Sequence, residues 1–236
     1  MRQYKLPALL LALLIVFTGV RIRIKATDKS DSAPDDIVIY NYKNDCNKIA
    51  LTFDDGPHPK QTRVILDILD EYGIKATFFV VGINAENYTK SLQEIVDRGH
   101  EIGNHTYTHP KVSSLDDTSF LKEVEDCENK IYEKIQYKTK LLRPPEGMID
   151  PSVMSAAKSL DYKVILWDID TRDWAHTSPQ NIANHVINKI SSGDIILMHD
   201  YIGKNSPTAE ALRLFIPKLL EMGYNFVCVG ELIDDN

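Results

Sequence analysis

Asp54 and Asp55 are adjacent carboxylates that close a short apolar run, Lys48-Ile-Ala-Leu-Thr-Phe53, and Gly56-Pro57 follows them at once. Two neighbouring carboxylates repel each other and are costly to desolvate unless a cation neutralises one, so the pair fits a metal ligand beside a base. Asp-Asp-Gly-Pro is equally good material for a capped turn, and on this stretch alone the two readings stand level. His105 and His109 add a second signal. Imidazoles four residues apart can face one ion from a helical turn or a tight loop. With one of the two aspartates they make a His2Asp set, three protein ligands and an open position, which is what a hydrolytic metal site requires.

Groups so far apart in sequence act together only if the fold gathers them. From Lys48 onward short apolar runs alternate with amphipathic windows, the pattern of βα units around a parallel sheet. Strands are expected near 48–53, 75–81, 100–103, 139–142, 163–167, 194–198 and 225–229, with helices near 60–72, 87–98, 115–135, 151–159, 179–191 and 207–222. The run Ile37–Tyr40 is long enough for one further strand. Asp150-Pro151, Ser178-Pro179 and Ser206-Pro207 each read as an N-cap followed by proline at the first helical position. Ser114 with Asp117 is a capping-box variant. Asp54 and Asp55 follow the first strand, His105 and His109 the third, and Arg143 the fourth. Asp170, Asp173 and Trp174 follow the fifth, His199 and Asp200 the sixth. In a parallel sheet or barrel all C-terminal strand ends open on one face, where such folds carry their sites. These residues are therefore expected to be neighbours in space.

Five segments in order, Thr52-Phe-Asp-Asp-Gly-Pro57, His105-Thr-Tyr-Thr-His109, Arg143-Pro-Pro-Glu-Gly147, Asp170-Thr-Arg-Asp-Trp174 and Leu197-Met-His199, resemble the five motifs of the polysaccharide deacetylases (carbohydrate esterase family 4, the NodB homology domain). The resemblance runs from Lys48 to the C-terminus and implies a distorted (β/α)7 barrel, in agreement with the seven strands. It implies that Asp55, His105 and His109 hold a divalent metal, zinc by the family's habit, with cobalt, nickel or manganese as substitutes. Asp54 is then the general base. A water on such an ion falls in pKa from about 15.7 towards about 7, so a neighbouring carboxylate can finish the deprotonation near neutrality. By the same resemblance His199 is the general acid for the leaving amine, Asp173 supports its imidazolium, and Arg143 keeps Asp54 ionised. A backbone N–H near Pro145 and Glu146 would hold the oxyanion, while Trp174 and Leu197 would wall the pocket for the acetyl methyl.

Outside this company Arg143 reads as a surface ion-pair partner and Trp174 as a core aromatic. Asp170 reads as a residue that orients its loop, and Asp168 and Asp200 lie close by without a role. His58, His100, His176 and His185 match no motif and read as surface or turn histidines. The family often carries an aromatic residue at the position of Glu146. Glutamate keeps the backbone N–H, removes the ring and adds a negative charge, which would disfavour anionic sugars and favour a glycan already partly deacetylated.

A chain of 236 residues, 43% of them hydrophobic, suits one α/β domain of barrel size. Its formal charge is −7, but the first 25 residues hold five basic and no acidic side chains, leaving 22 basic against 34 acidic residues and −12 for the remainder. So acidic a body is a poor partner for nucleic acid. Leu6–Val20 is an almost unbroken apolar run flanked by Arg2 and Lys5 and by Arg21, Arg23 and Lys25, which marks an export or anchor segment. It reaches the ~20 apolar residues of a span only if Ile22 and Ile24 count and the arginines snorkel. Ile24-Lys25-Ala26 is a poor cleavage site, so residues 1–25 read as an uncleaved single-pass membrane anchor with the domain outside the cell, secretion after cleavage being the alternative. Residues 26–44 are polar and aperiodic and read as a linker, and 45–236 as the catalytic domain. Cys46, Cys127 and Cys228 lack Cys-x-x-Cys spacing, which argues against a structural zinc module. Cys46 and Cys228 lie near expected strands where they could pair, and three unpaired thiols are the expected state. The whole reads as a monomeric, metal-dependent hydrolase that takes N-acetyl groups from an amino-sugar glycan, peptidoglycan or a chitooligosaccharide. An O-acetyl esterase on a polysaccharide and a non-catalytic wall-binding scaffold are the alternatives.

Overall fold

The structure, a computed structural model, describes residues 37–43 and 47–234. The apolar run Leu6–Val20 and Cys46 lie outside them. Among the described residues no helix is long and apolar enough to cross a membrane, and Cys127 and Cys228 are free thiols.

In chain order the elements are β1 (Val38–Ile39), β2 (Lys48–Asp54), α1 (Gln61–Tyr72), β3 (Thr77–Val80), α2 (Gly82–Asn87), α3 (Thr89–Asp97), β4 (Glu101–Asn104), α4 (Asp117–Ile135), β5 (Leu141–Leu142), α5 (Pro151–Leu160), β6 (Lys163–Ile165), β7 (Ile169–Asp170), α6 (Pro179–Lys189), β8 (Ile195–His199), α7 (Thr208–Glu221), β9 (Asn225–Val227) and α8 (Val229–Ile233). The strands run in the order β1-β6-β5-β4-β3-β2-β8-β7, with β9 beside β2, and all pair in parallel. This is the expected distorted (β/α)7 barrel with two short additions, β1 and β7. The fifth expected strand breaks after Ile165 and resumes as β7, and the helix expected over 87–98 is a pair, α2 and α3.

Strand parity in β2 decides which side chains enter the barrel. Ile49, Leu51 and Phe53 face the helical layer, packing with Leu66 and Leu69 of α1 and Phe215 of α7 in one buried cluster. Successive strand residues point to opposite faces, so Ala50, Thr52 and Asp54 point inward. Ala50 duly packs with Phe79, Ile165 and Ile195 in the barrel interior. Asp54 is thus carried to the inner rim by the burial of its apolar neighbours.

The gap between β6 and β8 is stitched by the segment expected to end the linker. Val164 N donates to Ile37 O and Leu166 N to Ile39 O, both at 2.7 Å, and Tyr42 N donates to Gly193 O at 2.9 Å. Gly193 has φ 87°, and a Cβ there would come within 2.2 Å of Tyr42 O, so only glycine closes the seam. Asp168 belongs to this seam, accepting from Asn41 Nδ2 at 2.9 Å, and not to the site.

Two helix starts match expectation: Asp150 accepts from Val153 N and Ser178 from Asn181 N. Two differ. The N-cap of α4 is Asp116, which accepts from Ser119 N, in place of the Ser114 and Asp117 box, because Val112–Ser114 forms its own 3-10 turn. At α7 the helix begins after Pro207, and Ser206 bonds the first helical N–H, that of Thr208, from one residue further out.

Candidate active site

Arg143 leaves β5 and is fully buried inside the barrel beneath Asp54. Its Nη1 donates to Asp54 Oδ1 and to Thr52 Oγ1, both at 2.8 Å, its Nε to Ile165 O at 3.0 Å and its Nη2 to Leu166 O at 3.1 Å. The guanidinium lies over the Phe79 ring, 4.1 Å from its centroid. Arg143 thus forms a buried pair with Asp54 and not a surface ion pair. A buried charge persists only when paired and hydrogen-bonded; one donor of this guanidinium holds Asp54 Oδ1 and the others are taken by Thr52, Ile165 and Leu166, which leaves Asp54 Oδ2 facing the pocket.

Asp55, next in the chain, adopts a left-handed backbone (φ 75°), a conformation that Asp tolerates better than most residues. The turn points it away from Arg143 and towards the histidines. Its Oδ1 lies 3.5 Å from His105 Nε2 and 3.4 Å from His109 Nε2. Metal–ligand bonds of about 2.0–2.1 Å at a tetrahedral centre place ligand atoms about 3.3–3.4 Å apart, so the three donors are spaced for one ion. They form the one group of metal-ligating side chains among the described residues whose ligand atoms all lie within 4.8 Å of one another. His105 Nδ1 is 2.7 Å from Arg143 O, which directs the Nε2 lone pair at the same point. Burial alone would raise the Asp55 carboxyl, but its hydrogen bond to His105 and the nearby imidazoles hold it below the usual range.

His199, the last residue of β8, stands on the other arm of the site. Its Nδ1 is 2.8 Å from Asp173 Oδ1, leaving Nε2 for the pocket. Asp173 is wholly buried. It also accepts from His199 N at 2.8 Å, Trp174 N at 2.9 Å and Thr208 Oγ1 at 2.7 Å. Burial alone would lower the His199 pKa. The Asp173 hydrogen bond and charge, helped by Asp54 and Asp55, override it and raise the imidazole to about 9.

These groups converge on a pocket of about 400 Å³ lined by Asp54, Asp55, His105, His109, His199 and the walls Glu146, Trp167, Asp170, Trp174 and Leu197. Leu197 is a buried floor, while Trp174 is 49% exposed, so it is a rim residue and not a core aromatic. Asp170 orients this rim, accepting from Arg172 N at 2.8 Å and from Trp174 Nε1 at 3.4 Å. Pro145 is buried behind the wall and carries no N–H, so the donor expected near it can only be Glu146 N.

Sequence reasoning missed Trp167, Thr52 and Thr208. Trp167 fell at the end of an expected strand, and the two threonines act through hydroxyls that carry no local signal. His100 is buried, not a surface histidine; it accepts from Ala76 N at 3.2 Å, and burial pulls it down to about 4. Asp200 is also buried and takes the Thr62 hydroxyl. Burial pushes its carboxyl up to about 7. It packs on Gly56, where a Cβ would come within 2.1 Å of its Oδ2.

Three ligands around an open position, with a carboxylate and an imidazole in reach, meet the requirements of water-driven bond cleavage, and the class so defined is a metal-dependent hydrolase on a (β/α) barrel. A family profile described as polysaccharide deacetylase matches residues 41–165. Over 207 residues the chain is 38% identical to a peptidoglycan-N-acetylglucosamine deacetylase of Bacillus cereus, spanning 87% of this chain and 97% of that protein. It is 39% identical over 185 residues to the peptidoglycan-N-acetylmuramic acid deacetylase PdaC of Bacillus subtilis, spanning 78% of this chain and 38% of that longer one. The crystal structure of the Bc1960 peptidoglycan N-acetylglucosamine deacetylase superposes with a TM-score of 0.80 at 32% identity, over 83% of this chain and 92% of the other. The chain belongs to the polysaccharide deacetylase family.

Proposed function

We propose that the chain is a peptidoglycan N-deacetylase, hydrolysing the acetamide of an N-acetylated amino sugar to acetate and a free amine. One observation carries the reading: a carboxylate braced by Arg143 and an imidazole hydrogen-bonded to Asp173 line the same pocket as the Asp55, His105 and His109 donors. When bound there, a divalent ion, zinc in the first instance, would acidify a water and polarise the acetamide carbonyl. Asp54 would take a proton from the attacking water as the water's oxygen bonds to the carbonyl carbon. The Glu146 N–H supports the developing oxyanion. His199 then delivers a proton from Nε2 to the nitrogen, the C–N bond breaks, and acetate and the amine leave. Leu197 and Trp174 take the acetyl methyl between them.

The relatives' substrates support peptidoglycan as the polymer. A general acid at His199, backed by Asp173, favours an amide over an ester, since an amine leaves with difficulty unless a proton reaches it. Residues 1–25 tether the enzyme to the cell membrane, the stretch that follows leads to the barrel, which begins at Ile37, and the domain acts as a monomer outside the cell. The test is release of acetate from purified peptidoglycan and from N-acetylglucosamine oligomers by the full chain in detergent with zinc, with mass spectrometry naming the sugar that loses its acetyl group. No acetate from any glycan sinks the reading, and activity that survives removal of every metal sinks the mechanism.

A further inference from the structure

We propose that Glu123, on α4, is a positioning residue that holds the His105–His109 loop in the shape needed to bind the metal ion; the proposal rests on the metal-dependent reading above. The loop leaves β4 through two non-glycine residues with left-handed backbone, Thr106 (φ 66°) and His109 (φ 56°). Such a conformation is unfavourable for a β-branched residue such as Thr106, so it persists only because the surroundings impose it.

Those surroundings grip the loop from two sides. Its carbonyls are held by the first N–H groups of α2, Gly82 N to Thr106 O at 3.0 Å and Ile83 N to Tyr107 O at 2.9 Å. Its donors go to one side chain. Glu123 Oε2 accepts from Tyr107 N at 3.0 Å and from Thr108 N at 2.8 Å, and Oε1 accepts from the Thr108 hydroxyl at 2.9 Å. The neighbouring residue of α4 secures the strand end: Val124 O accepts from Asn104 Nδ2 at 2.9 Å, and Asn104 Oδ1 in turn accepts from Thr106 N at 2.9 Å. Consecutive residues of one helix thus fix where the loop starts and where its tip lies, and His109 follows directly from Thr108. Glu123 is no ligand itself, since it stands outside the Asp55, His105 and His109 group and both its oxygens are committed to the loop.

The experiment uses the full chain with cobalt(II) as the probe. Affinity is read by competition with a chelating dye, ligand geometry by the visible d–d bands, and fold by thermal unfolding of the metal-free protein. Glu123→Ala is expected to weaken cobalt binding about 10–100-fold, the usual cost of removing an outer partner of a metal site, and to change the d–d bands. Glu123→Gln should stay close to wild type, because its carbonyl can accept both N–H groups while its amide donates to the Thr108 hydroxyl. Thr108→Val, which removes one of the three bonds and leaves the charge of Glu123, should give an intermediate loss, and it carries the test if Glu123→Ala does not fold. Wild-type affinity and spectrum in folded Glu123→Ala overturn the proposal, as does a Glu123→Gln variant as weak as the alanine one. A wild-type chain that binds no cobalt overturns the hydrolase reading and this proposal together, whereas cobalt-binding wild type with unaffected variants overturns this proposal alone.

Discussion

A hollow of about 970 Å³ opens at the starts of the barrel strands, whereas the pocket at their ends holds about 400 Å³. The larger one is bordered by Lys138, Lys140, Asp161 and Lys163, all exposed to solvent. The smaller one rests on Arg143 and Asp173, neither of which reaches solvent at all. A solvent-exposed ion pair is worth little, because water screens it and long side chains must be ordered to make it. A desolvated pair acts at much lower dielectric and fixes protonation state and geometry together. Volume is therefore a poor guide in this barrel, and the buried, fully partnered charges single out the smaller pocket as the candidate site.

The sharpest way to break this contrast is to remove the ion. Metal stripping or Asp55→Asn should abolish acetate release, and elemental analysis should show metal content falling with it. Asp54→Asn comes next. It should lower kcat by about 10²–10⁴-fold, the usual worth of a general base, while metal content stays at the wild-type level. A variant that loses metal would merge the two aspartates into one role.

Asp173→Asn tests the imidazole arm. With Asp173 present, His199 is raised to about 9 against an ordinary 6.5. A raised pKa stabilises the folded state fully below 6.5, and that stabilisation is lost as pH climbs from 6.5 through about 9. The variant should therefore lose more thermal stability at pH 6 than at pH 9.5 when the metal-free proteins are compared. Its kcat profile should also shift its basic limb to lower pH, since a general acid must be protonated to act. An unmoved limb would remove His199 from that role. Glu146→Gln should leave turnover on N-acetylglucosamine oligomers intact and reduce only the preference for partly deacetylated over fully acetylated chains. Equal preference before and after would deny the rim carboxylate any part in selection. Lys163→Gln, at the opposite end, should leave kcat/KM unchanged, and a measurable loss there would mean that the larger hollow takes part.

Most of the strand framework was legible because each strand is a local apolar run cut off by a turn, as Phe53 gives way to Asp-Asp-Gly-Pro. The pairing of His105 with His109 was legible for the same reason, since the two share one loop. Glu123 and Thr208 were not, because each acts across many residues of chain through bonds that leave no periodic trace. Ser114 and Ser206 were misplaced as caps by neighbours that compete for the same helix start. The linker's end was misread as well, since Ile37–Tyr42 gains its role from Val164 and Gly193, which lie far along the chain.

By itself the sequence determined that two aspartates, two histidines, an arginine and a second acid–base pair would arrive at the same ends of parallel strands. That much follows from the order of apolar runs and turns, and both are local properties. Only the tertiary structure decided which partners Asp54 and Asp55 each meet. Burial of Ile49, Leu51 and Phe53 turns Asp54 inward onto Arg143, which arrives from a strand three places along the sheet, and the left-handed turn at Asp55 sends the next carboxylate to the histidines. Adjacent and chemically identical side chains can be told apart only by what the rest of the fold places opposite each.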